Sequence, residues 1–230
     1  MTMNKIAEYT TLVAARKACH RCLALGLTNP VDVDGGHFDS DEIGPWSLWQ
    51  GNLNASLMVV GQDWGGTKYF NKNGGRDAPR NFTNLALIEL LGKAGFSIRD
   101  IDSQEGQNIL FFTNAILCLK HGNLDAKVQK VWFDNCASFL RKQIEIVNPV
   151  VVVGLGELAY RAILFGFNMK AGQFRAEVET EKGIMLPNGT RAFAVYHCAK
   201  GSQNRNRPMD AQRKDWMRIR PFITKAGIRQ

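Results

Sequence analysis

The chain has 230 residues, of which 45% are hydrophobic, and a formal net charge of +8. That length can bury one substantial core, and its longest apolar runs, such as VVVVGLG at 150–156, are far too short to cross a bilayer. The charge favours a polyanionic partner such as nucleic acid, and the mixed opening MTMNKIAEYTTLVAARKACHRC lacks a secretory leader pattern, so a cytoplasmic location is expected.

In chain order, residues 1–50 form an N-terminal arm with a CxxC at Cys19 and Cys22. A first strand is predicted over 56–62 (SLMVVGQ), then a helix over 80–94 with Phe82, Leu85, Ile88 and Leu91 on one stripe. A second strand follows at 108–116, a helix at 125–147, a third strand at 149–156 and a helix at 157–166. Residues 172–190 read as a hairpin excursion turning at Pro187-Asn188-Gly189. A fourth strand at 190–197 and a helix at 209–220 complete the pattern. The strand runs are apolar on consecutive residues, as in parallel strands covered on both faces. Strands alternating with helices imply one α/β domain over 1–230: a three-layer α/β/α sandwich on a central four-stranded, mainly parallel sheet.

The chemistry-bearing residues fall at strand ends. Asp63 follows the first strand, Asn114 sits near the end of the second, and His197 ends the fourth. In a parallel sheet these ends share one edge, where ligands bind. An Asp, an Asn and a His around a glycine-lined pocket suit hydrolysis of a glycosidic bond to a base. The carboxylate can align water and stabilise a cationic sugar, the imidazole can support the leaving base, and an amide can read a base edge. Each also has a plainer reading: a turn cap for Asp63, backbone satisfaction for Asn114, a strand-end hydrogen bond for His197.

Four segments in this order carry a resemblance: GQDWG at 61–65, TNAILC at 113–118, NPVVVVGLGELA at 148–159 and VYHCAKGS at 195–202. Together they resemble the uracil-DNA glycosylase superfamily over roughly residues 15–220. GQDWG is similar to that superfamily's GQDPY or GEAPG first motif. The resemblance implies a monofunctional enzyme that hydrolyses the N-glycosidic bond of a flipped uracil or modified pyrimidine and leaves an abasic site. It makes Asp63 and His197 the catalytic pair and Asn114 the base-reading amide. Gln62, Trp64 and Gly65 join the base site, as does Phe82, with Phe70 competing for the stacking role. Lys200, Ser202, Arg205 and Arg207 are the expected DNA contacts, and a monomer is expected.

Two thiol pairs, Cys19/Cys22 and Cys118/Cys136, can make a four-sulfur site for zinc or an iron–sulfur cluster. Their places resemble the iron–sulfur (family 4-like) branch, which implies a structural [4Fe–4S] cluster, with zinc as the alternative. Cys198 stands where that family has Pro and is expected at the pocket. The sequence departs from the family at Trp64 and at HCAKGS. Gly65 stands where the GQDPY branch has a Tyr that walls off carbon 5 of the pyrimidine. Two further readings therefore stay open: a glycosylase for 5-substituted cytosine, such as a glucosylated hydroxymethylcytosine, in anti-phage defence, and a non-catalytic DNA-binding protein. A dinucleotide-binding fold is disfavoured, because no GxGxxG follows the first strand.

Overall fold

Side chains alternate across a pleated strand, so a run that is apolar at every position needs a hydrophobic layer on both sides. The computed structural model describes residues 4–42, 52–78, 81–96, 110–121, 127–200 and 207–227 and has this arrangement. Its elements are α1 (Lys5–Lys17), β1 (Leu27–Thr28), β2 (Leu57–Gly61), α2 (Thr67–Lys72), α3 (Phe82–Ala94), β3 (Leu110–Asn114) and β4 (Leu119–Lys120). There follow α4 (Lys130–Val147), β5 (Val151–Leu155), α5 (Glu157–Gly166), α6 (Phe174–Glu179), β6 (Ile184–Met185), β7 (Arg191–Val195), α7 (Met209–Met217) and α8 (Arg220–Gly227).

The main sheet has the order β3-β2-β5-β7-β6. The first four strands are parallel, and β6 adds an antiparallel edge to β7. The mixed α/β sandwich expected from the sequence is therefore present, with five strands instead of four. Leu57, Val59, Val151 and Val153 face α3, α7 and α8 and pack with Leu87, Leu90 and Trp216. Met58, Val60, Phe111 and Val152 face the other layer, with Tyr9 of α1, Phe139 and Ile144 of α4, and Ile163 of α5. Among the described residues, no helix is long and apolar enough to cross a membrane.

Three local expectations are corrected. In α3 the buried stripe is Leu87, Leu90, Leu91 and Ala94, whereas Phe82 and Leu85 are 47% and 52% exposed. That i, i+3, i+4, i+7 spacing turns the helix away from the expected stripe, and the Asn81 side chain caps its start by accepting from Asn84 N. The stretch 172–190 is a hairpin only in its second half, because its first half forms α6 with Phe174 and Val178 one helical turn apart; the turn itself holds, with Gly189 at φ 87°. The helix expected over 209–220 ends at Met217, and α8 starts anew at Arg220 with Pro221 in its first turn, where proline is tolerated although it cannot continue a helix. A two-stranded sheet of β1 and β4, absent from the sequence reading, lies beside the main one.

Candidate active site

The strand order places β2 between β3 and β5, so the chain leaves the sheet in opposite directions around β2, where a crevice opens at the carboxyl ends. Gly61 of β2 lies opposite Asn114 of β3, and Leu155 of β5 opposite Val195 of β7. A cavity of about 710 Å³ occupies that edge. Asp63, Asn114 and His197 all line it, with Gln62, Phe82 and Lys120.

Asp63 is held on both oxygens. Oδ1 accepts from the Gly65 backbone N–H at 2.9 Å and pairs with Lys120 Nζ at 3.1 Å; Oδ2 accepts from Gln62 Nε2 at 2.6 Å. Gly65 takes φ 94°, a left-handed conformation that favours glycine and lets the chain turn back onto the carboxylate. The turn-cap reading of Asp63 is thus true of one oxygen, and it is compatible with a cavity role.

Asn114 is buried at the end of β3, and the space for its amide is supplied by Gly61. A β-carbon at Gly61 would stand 2.0 Å from Asn114 Oδ1. Glycine at the strand end therefore lets the amide lie across the cavity floor.

His197 lies two residues past β7. Its Nδ1 accepts a hydrogen bond from the Ala199 backbone N–H at 3.2 Å. An accepting Nδ1 fixes the neutral tautomer and leaves the proton on Nε2. Burial lowers the pKa of the imidazole, and the nearby Asp63 carboxylate opposes that shift without reversing it. The site thus holds a neutral imidazole with a donor.

The rim is mixed. Trp64 meets Phe112 edge-on with centroids 5.8 Å apart. Phe82 is half exposed and lines the cavity; Phe70 also lines it but is buried against Val33 and Leu119. On the side of α2 and α3, Asp77 accepts from Tyr69 Oη at 2.5 Å, from Asn81 Nδ2 at 3.1 Å and from Asn84 Nδ2 at 3.0 Å. Sequence reasoning missed this polar wall and Lys120. The wall has a faint signal in the Asn81/Asn84 pair at helix spacing; Lys120 is only a charge closing an apolar run.

Residues 48–220 match the model of the uracil DNA glycosylase superfamily. The chain belongs to that superfamily. It is also 32% identical over 167 residues to a protein named type-5 uracil-DNA glycosylase from Pyrobaculum aerophilum, covering 66% of this chain and 67% of that one. The superfamily match spans all four parallel strands and both cavity walls, and it includes Cys118 and Cys136 but not Cys19 and Cys22.

Those four thiols sit on separate segments: the turn after α1, the β3–β4 connection and α4. Burial raises the pKa of Cys118, and the charges of Cys136, Cys22 and Cys19 add to it. Burial pushes Cys136 up to about 11, although its thiol is hydrogen-bonded to the Leu117 backbone. Cys22 is likewise raised by burial and accepts from Asn135 Nδ2 at 3.2 Å. Among the described residues no three or more Cys, His, Asp or Glu side chains are drawn into a metal-holding arrangement. The donor set is of the type an all-thiolate group uses, and a cationic centre would offset what burial costs the thiolate forms of Cys22, Cys118 and Cys136.

The remaining candidates divide. Lys200 is exposed, and Ser202 and Arg205 lie outside the described residues. Arg207 forks its guanidinium onto Asp215 at 2.7 and 3.0 Å and lies 5.9 Å over the Tyr196 ring, so an intramolecular partner already orients it. Cys198 is corrected. It does not line the cavity itself: its thiol packs in the α3 layer and donates at 3.4 Å to the carbonyl of Thr83, a residue that does.

Proposed function

We propose that this protein is a monofunctional DNA glycosylase that takes a uracil or modified pyrimidine out of the DNA stack and hydrolyses its N-glycosidic bond. One observation carries the reading: an acid, an amide and a neutral imidazole from three distant strand ends line one cavity in a member of this superfamily. The relative's printed name supports uracil as the base.

In this reading the flipped base lies over Gly65 between Gln62, Trp64 and Phe82, and Asn114 reads its edge. Asp63 aligns a water against the sugar carbon and stabilises the positive charge that grows as the bond stretches. The Nε2–H of His197 donates to the oxygen of the departing base, whose electrons it helps to hold. A neutral donor suits this task, because it withdraws charge without giving up its proton. Lys200, with Ser202 and Arg205, takes the phosphates, consistent with the net charge of +8. Cys19, Cys22, Cys118 and Cys136 hold a structural [4Fe–4S] cluster, or zinc, that ties the N-terminal arm to the same single domain. When bound, that group supplies cross-linking and charge neutralisation, and hydrolysis needs no redox partner.

A second substrate reading has support from the cavity. Its volume of about 710 Å³ lies in the range for drug-sized ligands, larger than a bare pyrimidine ring, and Gly65 puts no side chain beside the base. The wall of Tyr69, Asp77, Asn81 and Asn84 lines the cavity with polar side chains instead of apolar ones. That favours a pyrimidine with a polar substituent on carbon 5. Matched oligonucleotides, one with uracil and one with glucosylated hydroxymethylcytosine, separate the two by which base is released. Uracil release supports the first reading and glucosylated base release the second. DNA binding with release of neither supports a non-catalytic binding protein and removes the enzyme reading.

A further inference from the structure

We infer that Lys120 is a positioning residue for Asp63: it locks the carboxylate and its loop into the geometry that the hydrolysis needs. The inference rests on the glycosylase reading above and adds a residue that neither the first motif nor the superfamily resemblance assigns.

The observation is a closed ring of contacts. Lys120 Nζ lies 3.1 Å from Asp63 Oδ1, and the same oxygen accepts from Gly65 N at 2.9 Å. The Gly65 carbonyl then accepts from the backbone N–H of Lys120 at 2.8 Å, and Gly66 bridges to Lys120 as in a parallel pair. One residue of β4 thus grips the motif loop twice, through its side chain and through its main chain. Both ends of the ion pair are buried, with side-chain exposures of 6% for Lys120 and 8% for Asp63. Water therefore competes little for the contact.

The grip has a direction. Among the described residues Oδ1 takes Lys120 and Gly65 and Oδ2 takes Gln62, and a carboxylate oxygen with one such donor keeps the lone-pair capacity to orient a water. A carboxylate free to rotate could present either oxygen. Leu119, fully buried against Val33 and Phe70, anchors β4 and so fixes where Lys120 stands. Holding an attacking group within a fraction of an ångström is worth large factors in rate.

The test uses the full chain and single-turnover release of uracil and of glucosylated hydroxymethylcytosine from duplex oligonucleotides, with DNA binding measured by anisotropy. Lys120→Met should slow release on the order of 10²-fold with little change in DNA affinity, and Lys120→Arg should recover most of the rate. Asp63→Asn should be slow by itself, and adding Lys120→Met to it should cost nothing more, because a positioning residue has no work without its carboxylate. If Lys120→Met does not fold, Lys120→Arg and Lys120→Gln carry the comparison. Arg should then keep most of the parent's rate and Gln should lose it, and a Gln variant as fast as the parent overturns the inference.

Three further results overturn the inference while leaving the role of Asp63 standing. One is a Lys120→Met enzyme as fast as the parent. Another is a double variant slower by the product of both single losses. The third is a borohydride-trapped DNA adduct that depends on Lys120, which would make the amine a nucleophile. A fully active Asp63→Asn removes the role given to Asp63 and this inference with it. A dead Asp63→Asn beside an unimpaired Lys120→Met removes Lys120 alone. Release of neither base by the parent takes down both.

Discussion

The cavity and the thiol corner approach each other to within two residues on the segment Cys118–Leu119–Lys120, yet they are built differently. The cavity's side chains leave the ends of hydrogen-bonded parallel strands: Asn114 closes β3, and Asp63 and His197 each lie two residues beyond β2 and β7. The thiols come from a turn after α1, a short connection and, for Cys136, a helix. A sheet holds its own edge in place, whereas separate segments need something to hold them together. Substitutions at the cavity should therefore change rate and leave the fold standing. Substitutions at the thiols should change stability first.

Outside the residues that perform the chemistry, the largest effect expected at the strand ends comes from Gly61→Ala. The added carbon would fall 2.0 Å from Asn114 Oδ1, so the amide must move off the cavity floor. Single-turnover release should fall on the order of 10²-fold, the cost of one misplaced hydrogen-bonding group at a reacting centre. Gly92→Ala in α3 is the control. Nothing lies within 4 Å of its new carbon, and it should raise stability by about 0.5–1 kcal/mol through helix propensity without slowing release. Equal rates for the two variants would break the claim that strand ends set the chemistry.

If the thiol corner holds the proposed cluster or zinc, Cys136→Ser should lower metal content and destabilise the protein by about 3 kcal/mol or more. Metal analysis and thermal melts measure this, and visible absorbance distinguishes iron–sulfur from zinc. The fraction that stays folded should still release base. A variant with unchanged metal content and melting would show that these thiols are ordinary core residues.

The same contrast explains what could be read in advance. Four parallel strands and the convergence of Asp63, Asn114 and His197 were legible because unbroken apolar runs at 57–60 and 150–153 admit only a doubly covered sheet, which sends its carboxyl ends to one edge. Lys120 was not legible. Its partner Asp63 is far away in sequence, and the β1–β4 pair that carries it is two residues long, too short to show a period. The phase of α3 was misread because Phe82, Leu85, Ile88 and Leu91 also satisfy helical spacing. Capping by Asn81 and the burial of Leu87 and Leu90 decided between two faces that composition left equal.

The pH profile sharpens the cavity side. Burial lowers the pKa of His197 below its ordinary 6.5, so the ring stays neutral as pH falls through the range where an exposed histidine would charge. Release should hold a plateau below pH 6.5 and decline only when Nδ1 takes a proton, which turns the acceptor for Ala199 N into a second donor. Stability follows the same sign: protons bind the unfolded ring first, so acid weakens the fold by this group's share across that window. His197→Gln should remove the acid limb due to this ring. A rate that falls with a midpoint near an exposed histidine's value would contradict the buried, neutral assignment.

The smallest effect separates two neighbours on α3. Phe82 and Leu85 are exposed to similar extents, 47% and 52%, but only Phe82 lines the cavity. Neither residue supports the core, so Phe82→Ala and Leu85→Ala should both melt close to the parent. If Phe82 stacks on the extruded base, its loss forfeits about 1–3 kcal/mol of base–aromatic contact, roughly tenfold in release at limiting enzyme. Leu85→Ala should leave release unchanged. Phe82→Tyr keeps the ring and should keep the rate, whereas Phe82→Leu keeps apolar area without a π face and should lose part of it. A Leu variant equal to the parent would mean that the position supplies surface and not stacking. The stacking role would then pass to Phe70, whose ring reaches the same cavity from within the core.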